Sequence, residues 1–247
     1  MHRFFLPPEA ISQGQVRFPP PVARQIAHVL RLRPGEIVAV LDGQGLLHEV
    51  TLQHVARDEV SGKITATREA SGEPSTAVTL YMALIKGERM EWAIQKATEL
   101  GVARIVPMVT ERTVIREARL SEARLARWRR IAQEAAEQCE RARVPTIAEP
   151  MAFAEACVDA AGADLAAIAW AREARLTLDQ VMAGREVSSL ALLIGPEGGF
   201  SPEELVTACG HGMIPFTLGP RILRAETAAV VALALAMQAL GELQPTA

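Results

Sequence analysis

Apolar and polar positions divide the chain into two stretches with different rhythms. Through about residue 70 the apolar runs are short and alternate loosely with polar residues. EIVAVLDGQGLLHEVTLQHV (36–55) is the clearest case, with Asp42-Gly43 as a hairpin turn between two runs. GKITATREA (62–70) predicts a further strand, and PPVARQIAHVLRLRPG (20–35) a short helix opened by prolines and ended by Pro34-Gly35. Several short strands of this kind close most simply as a small β-barrel. The small, polar ASGEPSTA (70–77) reads as a linker. From residue 78 strand and helix alternate. VTLYMALI, ARIVPMV, DLAAIAW, SLALLI and IPFTLG read as strands. RMEWAIQKATELGV, a long amphipathic helix capped by Ser121, MAFAEACVDA, LTLDQVMA, SPEELVTACG and an apolar helix over about 225–241 lie between and after them. In the first of these helices Trp92, Ile94, Ala97 and Leu100 fall at roughly helical spacing. Strands apolar on both faces predict a parallel sheet covered by helices.

Composition narrows the class. Hydrophobic residues are 49% and charged residues 22%, ordinary globular values. The N-terminus has no secretory pattern, and the apolar stretch 228–240 is shorter than the roughly 20 residues a bilayer span needs. Cys139, Cys157 and Cys209 fit neither a disulfide framework nor a zinc cluster, which points to a reducing, cytoplasmic setting without metal. Net charge is −3, so there is no global basic signature. Locally, residues 1–35 hold five arginines against Glu9, and residues 104–145 hold ten arginines against six glutamates. Lysines number only three, Lys63, Lys86 and Lys96. Genome base composition or a need for planar phosphate-gripping forks would each explain that bias.

Two loops are candidates for chemistry, because ligands of open α/β sheets bind beyond the carboxyl ends of strands. In LLIGPEGGFSPEE (192–204) a strand ends, GPEGGF turns, and Ser201, Pro202 and Glu204 form a capping box. Glycines here bring bare backbone within reach of a ligand, or serve only the geometry of a tight turn. Glu197, Glu203 and Glu204 oppose a pyrophosphate at this helix N-terminus, and neither common nucleotide-phosphate motif occurs. A neutral or cationic nucleoside fits better. In TLGPRILRAETAAV (217–230) the chain stays irregular after a strand, leaving backbone amides for a purine edge and Ile222 and Leu223 to flank the ring. Arg224 and Glu226 are polar in an apolar neighbourhood, either as a mutual salt bridge or as site residues. The two loops could face one pocket.

IGPEGGF, LGPRILRAETAA, IQKATELGV, EAAEQCERARVP, HRFF and HVLRLRPGE together resemble the RsmE family, the 16S ribosomal RNA (uracil-N3)-methyltransferases of the SPOUT, or α/β-knot, superfamily. The likeness runs from about residue 2 to 241. It implies a PUA-like β-barrel RNA-binding domain over residues 1–72, then a knotted parallel-sheet SPOUT methyltransferase domain over 73–247. It further implies S-adenosylmethionine (SAM) as methyl donor, S-adenosylhomocysteine as product, 16S rRNA within the 30S subunit as substrate, a homodimer, and neither metal nor membrane. By resemblance, SAM would lie against Ile194, Gly195, Glu197, Gly198, Gly199, Leu218, Gly219, Ile222, Leu223, Thr227 and Ala228, with a loop after Trp170 closing a third side. SAM is a sulfonium cation, which makes Glu197 tolerable. Uracil N3–H is a weak acid, so methylation needs a base or a cation. Arg224 is the candidate cation, and Glu226 or Glu197 the candidate proton acceptor. Arg3, Arg31, Arg33 and Arg141 are candidate RNA contacts, although Arg31 and Arg33 also suit a helix end. Phe4 and Phe5 read as core, His28 as structural, and arginines of 116–130 as a solvated face. Lys86, Lys96 and Glu99 match the family pattern without an assigned role. A noncatalytic RNA-binding protein of the same fold and a nucleotide-using α/β enzyme are the competing readings. Intact glycine loops count against the first and absent phosphate motifs against the second.

Overall fold

The computed structural model describes residues 1–114, 120–170 and 175–244. They form two units, Met1–Glu73 with Ala136–Val144, and Pro74–Ala135 with Pro145–Ala247. The first contains β1 (Arg3–Phe5), β2 (Ile11–Ser12), β3 (Gln15–Phe18), α1 (Pro20–Arg24), β4 (Ile37–Leu41), β5 (Leu46–Val55) and β6 (Val60–Glu69). Its sheet runs β1-β4-β5-β6-β3-β2, antiparallel except for β1 beside β4. Asp42 makes the β4–β5 turn, its Oδ1 accepting from the amides of Gln44 (2.8 Å) and Leu46 (3.1 Å). Alternation buries Val38, Val40, Val50 and Leu52 with Phe4 and Phe18, whose rings meet edge to face 6.0 Å apart. Phe4 is thus core, as its pattern predicts, while Phe5 is half-buried.

The last residues of α3 (Glu122–Gln138) and the six after them belong to this unit. Their attachment is polar: Arg3 donates to the Glu140 carboxylate (2.6 Å) and carbonyl (3.0 Å), and the Phe5 amide to Glu137 Oε1 (3.1 Å). Glu73, in the stretch read as a linker, accepts from Arg141 Nη2 (2.7 Å) and Nε (3.2 Å) and from the amides of Ala142 (2.9 Å) and Arg143 (3.0 Å).

The second unit contains β7 (Ala77–Ala83), α2 (Glu88–Glu99), β8 (Arg104–Val109), most of α3, β9 (Thr146–Ile147), β10 (Met151–Ala152), α4 (Phe153–Ala160), β11 (Leu165–Ala169), α5 (Leu178–Met182), β12 (Ser189–Ile194), α6 (Pro202–Gly210), β13 (Ile214–Phe216) and α7 (Ala225–Ala239). All pairings are parallel in the order β10-β8-β7-β12-β11-β13, with β9 beside β8. Central β12 is buried from Leu190 through Ile194, as a strand covered on both faces must be. In α2 the buried stripe is Met90, Ala93, Ile94, Ala97 and Thr98, and Trp92 is 43% exposed. The expected stripe was one residue out of phase at that position: Trp92 lies on the outer face beside Ala93. Of the arginines in 116–130, positions 116 and 119 lie outside the described residues. The others follow the solvated reading, with Arg127 on Glu91 (2.7 Å) and Arg124 over the Trp128 ring. No helix among the described residues is long and apolar enough to cross a membrane.

Candidate cofactor pocket

β12, β11 and β13 are adjacent and parallel, so their carboxyl ends open on one side of the sheet. The chain leaving each builds one wall of a cavity of about 340 Å³, in the range of small-molecule sites. Ala169 ends β11 and Trp170 follows it, Ile194 ends β12 and the glycine loop follows it, and Phe216 ends β13 ahead of Leu218, Gly219 and 221–223. Ala225 and Ala228 close the cavity from the first turns of α7.

The glycine loop is a tight turn in which the Gly199 amide donates to Pro196 O (2.8 Å). Gly199 has φ +69° with open space where a Cβ would stand, so its glycine answers a backbone need. Gly195 and Gly198 have a different reason. A Cβ would come 3.2 Å from the Phe200 ring at Gly195, and 3.3 Å from the Arg112 side chain at Gly198. Part of what approaches this backbone is therefore the chain's own Phe200 and Arg112. Ser201 and Glu204 form the expected capping box, the Ser201 amide donating to Glu204 Oε2 (2.9 Å) and the Glu204 amide to Ser201 Oγ (3.3 Å). Glu204 Oε1 accepts from the Glu111 amide (2.8 Å), so this buried carboxylate faces inward instead of lining the mouth.

The second loop is held by Thr217, whose Oγ1 accepts from the Gly219 amide (3.1 Å), with Gly219 at φ +99°. Among the described residues the amides of Leu218, Ile222 and Leu223, all at the cavity, have no hydrogen-bond partner. Apolar side chains beside spare backbone donors suit a heteroaromatic ring whose edge accepts hydrogen bonds. Glu197 is the lining carboxylate, and its Oε1 lies 2.9 Å from Arg89 Nη2.

Ten of the eleven residues expected against the cofactor, all except Thr227, line this one cavity. Arg224 is exposed at the N-cap of α7, between lining residues Leu223 and Ala225 but not itself lining. Glu226 is buried in the first turn of α7, away from the lining, with Oε2 lacking a partner among the described residues. No Arg224–Glu226 salt bridge forms. Trp170 lines the cavity with its Nε1 unpartnered among the described residues, and the loop after it lies outside them. Sequence reasoning missed Arg112, Arg221 and Arg89. Arg112 comes three residues after β8, itself a strand end, and that position was the available signal.

Of the expected RNA contacts, Arg31 and Arg33 are exposed, Arg31 at φ +54° where the first helical stretch stops. Arg3 is engaged with Glu140. Arg141 is a correction: its side chain is 4% exposed and its guanidinium is bonded to Glu73, so it offers no surface to RNA. Lys96 and Glu99 pair with each other at 2.7 Å. Burial and the nearby Glu204 charge push the Cys157 thiol up to about 11, which leaves it protonated and inert at neutral pH.

A parallel α/β unit with spare amides and apolar side chains at a cavity across three strand ends has the form of a small-molecule-binding domain, here joined to a small β unit. Residues 72–237 match a family described as an RNA methyltransferase domain, and residues 26–65 one described as an RNA methyltransferase PUA domain. A ribosomal RNA small subunit methyltransferase E from Synechocystis is 36% identical over 94% of this chain and 76% of its own length. That of Bacillus subtilis is 30% identical over 84% of each chain. The crystal structure of a ribosomal RNA small subunit methyltransferase E from Neisseria gonorrhoeae, bound to SAM, superposes with a TM-score of 0.87 at 34% identity, covering 97% of this chain and 98% of that one. A Legionella pneumophila structure in complex with SAM gives 0.86 at 32% identity, covering 96% and 97%. The chain belongs to the ribosomal RNA small subunit methyltransferase E family.

Proposed function

We propose that this chain transfers a methyl group from SAM to N3 of a uridine in 16S rRNA of the small ribosomal subunit. The observation that carries the reading is the cavity at the ends of β11, β12 and β13, where spare amides of 218, 222 and 223 meet apolar walls. Those groups fit an adenosine: Leu218, Ile222 and Leu223 would hold the base and offer its edge their N–H groups, while Gly195, Gly198 and Gly199 would keep the opposite wall low. SAM, when bound, supplies an electrophilic methyl group on a sulfonium centre. The protein's share of the catalysis is chiefly alignment of the uracil nitrogen, the effect that contributes most to such displacements. Glu197, at the wall, would balance positive charge. Arg224, exposed beside the cavity, is the group proposed to stabilise the developing imide anion. Glu226, buried behind the wall, is better cast as a support of the α7 turn than as proton acceptor.

The same reading takes residues 1–72 as the PUA-like RNA-binding domain and 73–247 as the knotted methyltransferase domain. It takes the acting species as a cytoplasmic homodimer working on the 30S particle. Incubation with labelled SAM and undermodified small subunits, followed by mass mapping of the modified base, tests it. Methyl transfer to N3 of one uridine is expected. Label on another base, or none, would remove the proposal.

A further inference from the structure

We propose that Arg89, Arg112 and Arg221 form a collar at the mouth of the cavity that grips phosphates of the RNA strand on either side of the nucleotide being methylated. The inference rests on the methyl-transfer reading above and adds where the α/β unit itself holds its substrate. The three arginines come from three separate elements: the first turn of α2, the loop after β8, and the segment between β13 and α7. Arg112 and Arg221 line the cavity, and Arg89 reaches it through lining residue Glu197 at 2.9 Å. All three are solvent-accessible, Arg89 with 40% of its side chain exposed.

Their internal bonding leaves most of their donors unused. A guanidinium carries five N–H groups in a planar fork suited to phosphate. Arg112 places Nη1 on the Gly198 carbonyl (2.9 Å), and Arg221 has no partner among the described residues. A cation in the first turn of a helix opposes the helix dipole, so the charge of Arg89 does not stabilise α2. Among lining residues and their ion-pair partners, three guanidiniums meet the one carboxylate of Glu197, a local excess of positive charge on a chain of net charge −3, with exposed Glu88, Glu111 and Glu203 on the flanks. Such a local field concentrates a polyanion where the chemistry is. Arg141 and Arg3 are engaged internally and supply no comparable surface. The occupant is single-stranded RNA, a polyanion whose base is free to enter the cavity.

The test measures affinity of the full-length protein for a labelled single-stranded RNA oligonucleotide between about 50 and about 200 mM salt, beside calorimetric SAM affinity. Each phosphate contact in a single strand contributes about 0.7 to the slope of log affinity against log salt, so the triple variant Arg89→Gln, Arg112→Gln, Arg221→Gln is expected to flatten it by about 2. RNA affinity at the lower salt should fall at least about tenfold, and by a larger factor than SAM affinity, which Arg112 and Arg221 also touch as lining residues. An unchanged slope overturns the collar, as does a loss of SAM affinity with RNA affinity intact. Should the triple variant not fold, Arg221→Gln alone, which breaks no internal bond, must flatten the slope by about 0.7. Failure of the wild type to methylate small subunits would refute the methyl-transfer reading, whatever the salt slopes do.

Discussion

Glu73 makes the most quantitative prediction. The Arg141 side chain it holds is 4% exposed, while Glu73 itself retains 22%. Glu73 Oε1 accepts three bonds, from Arg141 Nε and the amides of Ala142 and Arg143, and Oε2 accepts Arg141 Nη2. Replacement by alanine removes two bonds from a buried guanidinium and the bond of the amide of buried Ala142, whereas the exposed Arg143 amide can turn to water. Breaking a buried pair from one side costs about 3–5 kcal/mol. The partial exposure of Glu73 places Glu73→Ala at the lower end, about 3 kcal/mol. Glu73→Gln keeps the Oε1 acceptor and its three bonds but loses the charge and the Nη2 bond, for about half that cost. Trp92, Trp128, Trp170 and Tyr81 all lie in the second unit, so fluorescence does not report on the first. Far-UV circular dichroism in urea, with amide exchange read from β4, β5 and β6, does. With a urea slope of about 2 kcal/mol per molar, the midpoint of the first unit should drop by about 1.5 M in Glu73→Ala and by roughly half as much in Glu73→Gln. Equal losses in the two variants, or a shift in Glu73→Ala below about 0.3 M, would refute the structural role of this cluster. So would an Arg141→Met variant that folds normally but loses RNA.

Gly198→Val drives a branched side chain into Arg112, whose atoms stand 3.3 Å from the Cβ position, and should abolish SAM binding in calorimetry while the circular dichroism spectrum persists; retained affinity would move the cofactor site elsewhere. Arg224→Ala should lower kcat far more than SAM affinity, and an equal loss of both would make Arg224 a cofactor-positioning group. The Asp164 carboxyl is held below its ordinary range by the Ser188 hydroxyl (2.7 Å), the Ser188 amide (2.8 Å) and the Ser189 amide (3.0 Å). Its folded value lies below its unfolded one, so the stabilisation is complete above the ordinary aspartate pKa of about 4 and is lost as pH falls through the lower folded value. Melting curves of wild type and Asp164→Asn should therefore differ by a constant amount near neutrality and converge in acid; a gap unchanged down to pH of about 2 would show that these bonds do not depend on the charge.

What could be read ahead of the structure was whatever the chain states locally. Strands such as SLALLI are buried on both faces and say so in five consecutive residues, and the Ser201–Glu204 box declares the start of α6 within four. The residues of the two loops were legible as neighbours because strand ends of a parallel sheet must open on one side, so adjacency of β11, β12 and β13 was enough to merge them into one cavity. Interactions between distant segments carry no local mark. Nothing in ASGEPSTA says that its glutamate will take Arg141, 68 residues away, and a family motif containing that arginine invited an RNA role that its burial denies it. The same reasoning changes how the division of the chain has to be tested. Deleting residues 1–72 would leave Ala136–Val144 without Arg3 and the Phe5 amide, its partners at Glu140 and Glu137. Such a truncation would break bonds of the retained segment as well as removing a surface, so a drop in RNA binding by the truncated protein would not identify the first unit as the RNA reader. Charge-removing substitutions at exposed Arg31 and Arg33, which leave those bonds intact, separate the two causes: a loss of RNA affinity there with an unchanged urea midpoint assigns reading to the first unit, and no loss removes Arg31 and Arg33 as readers.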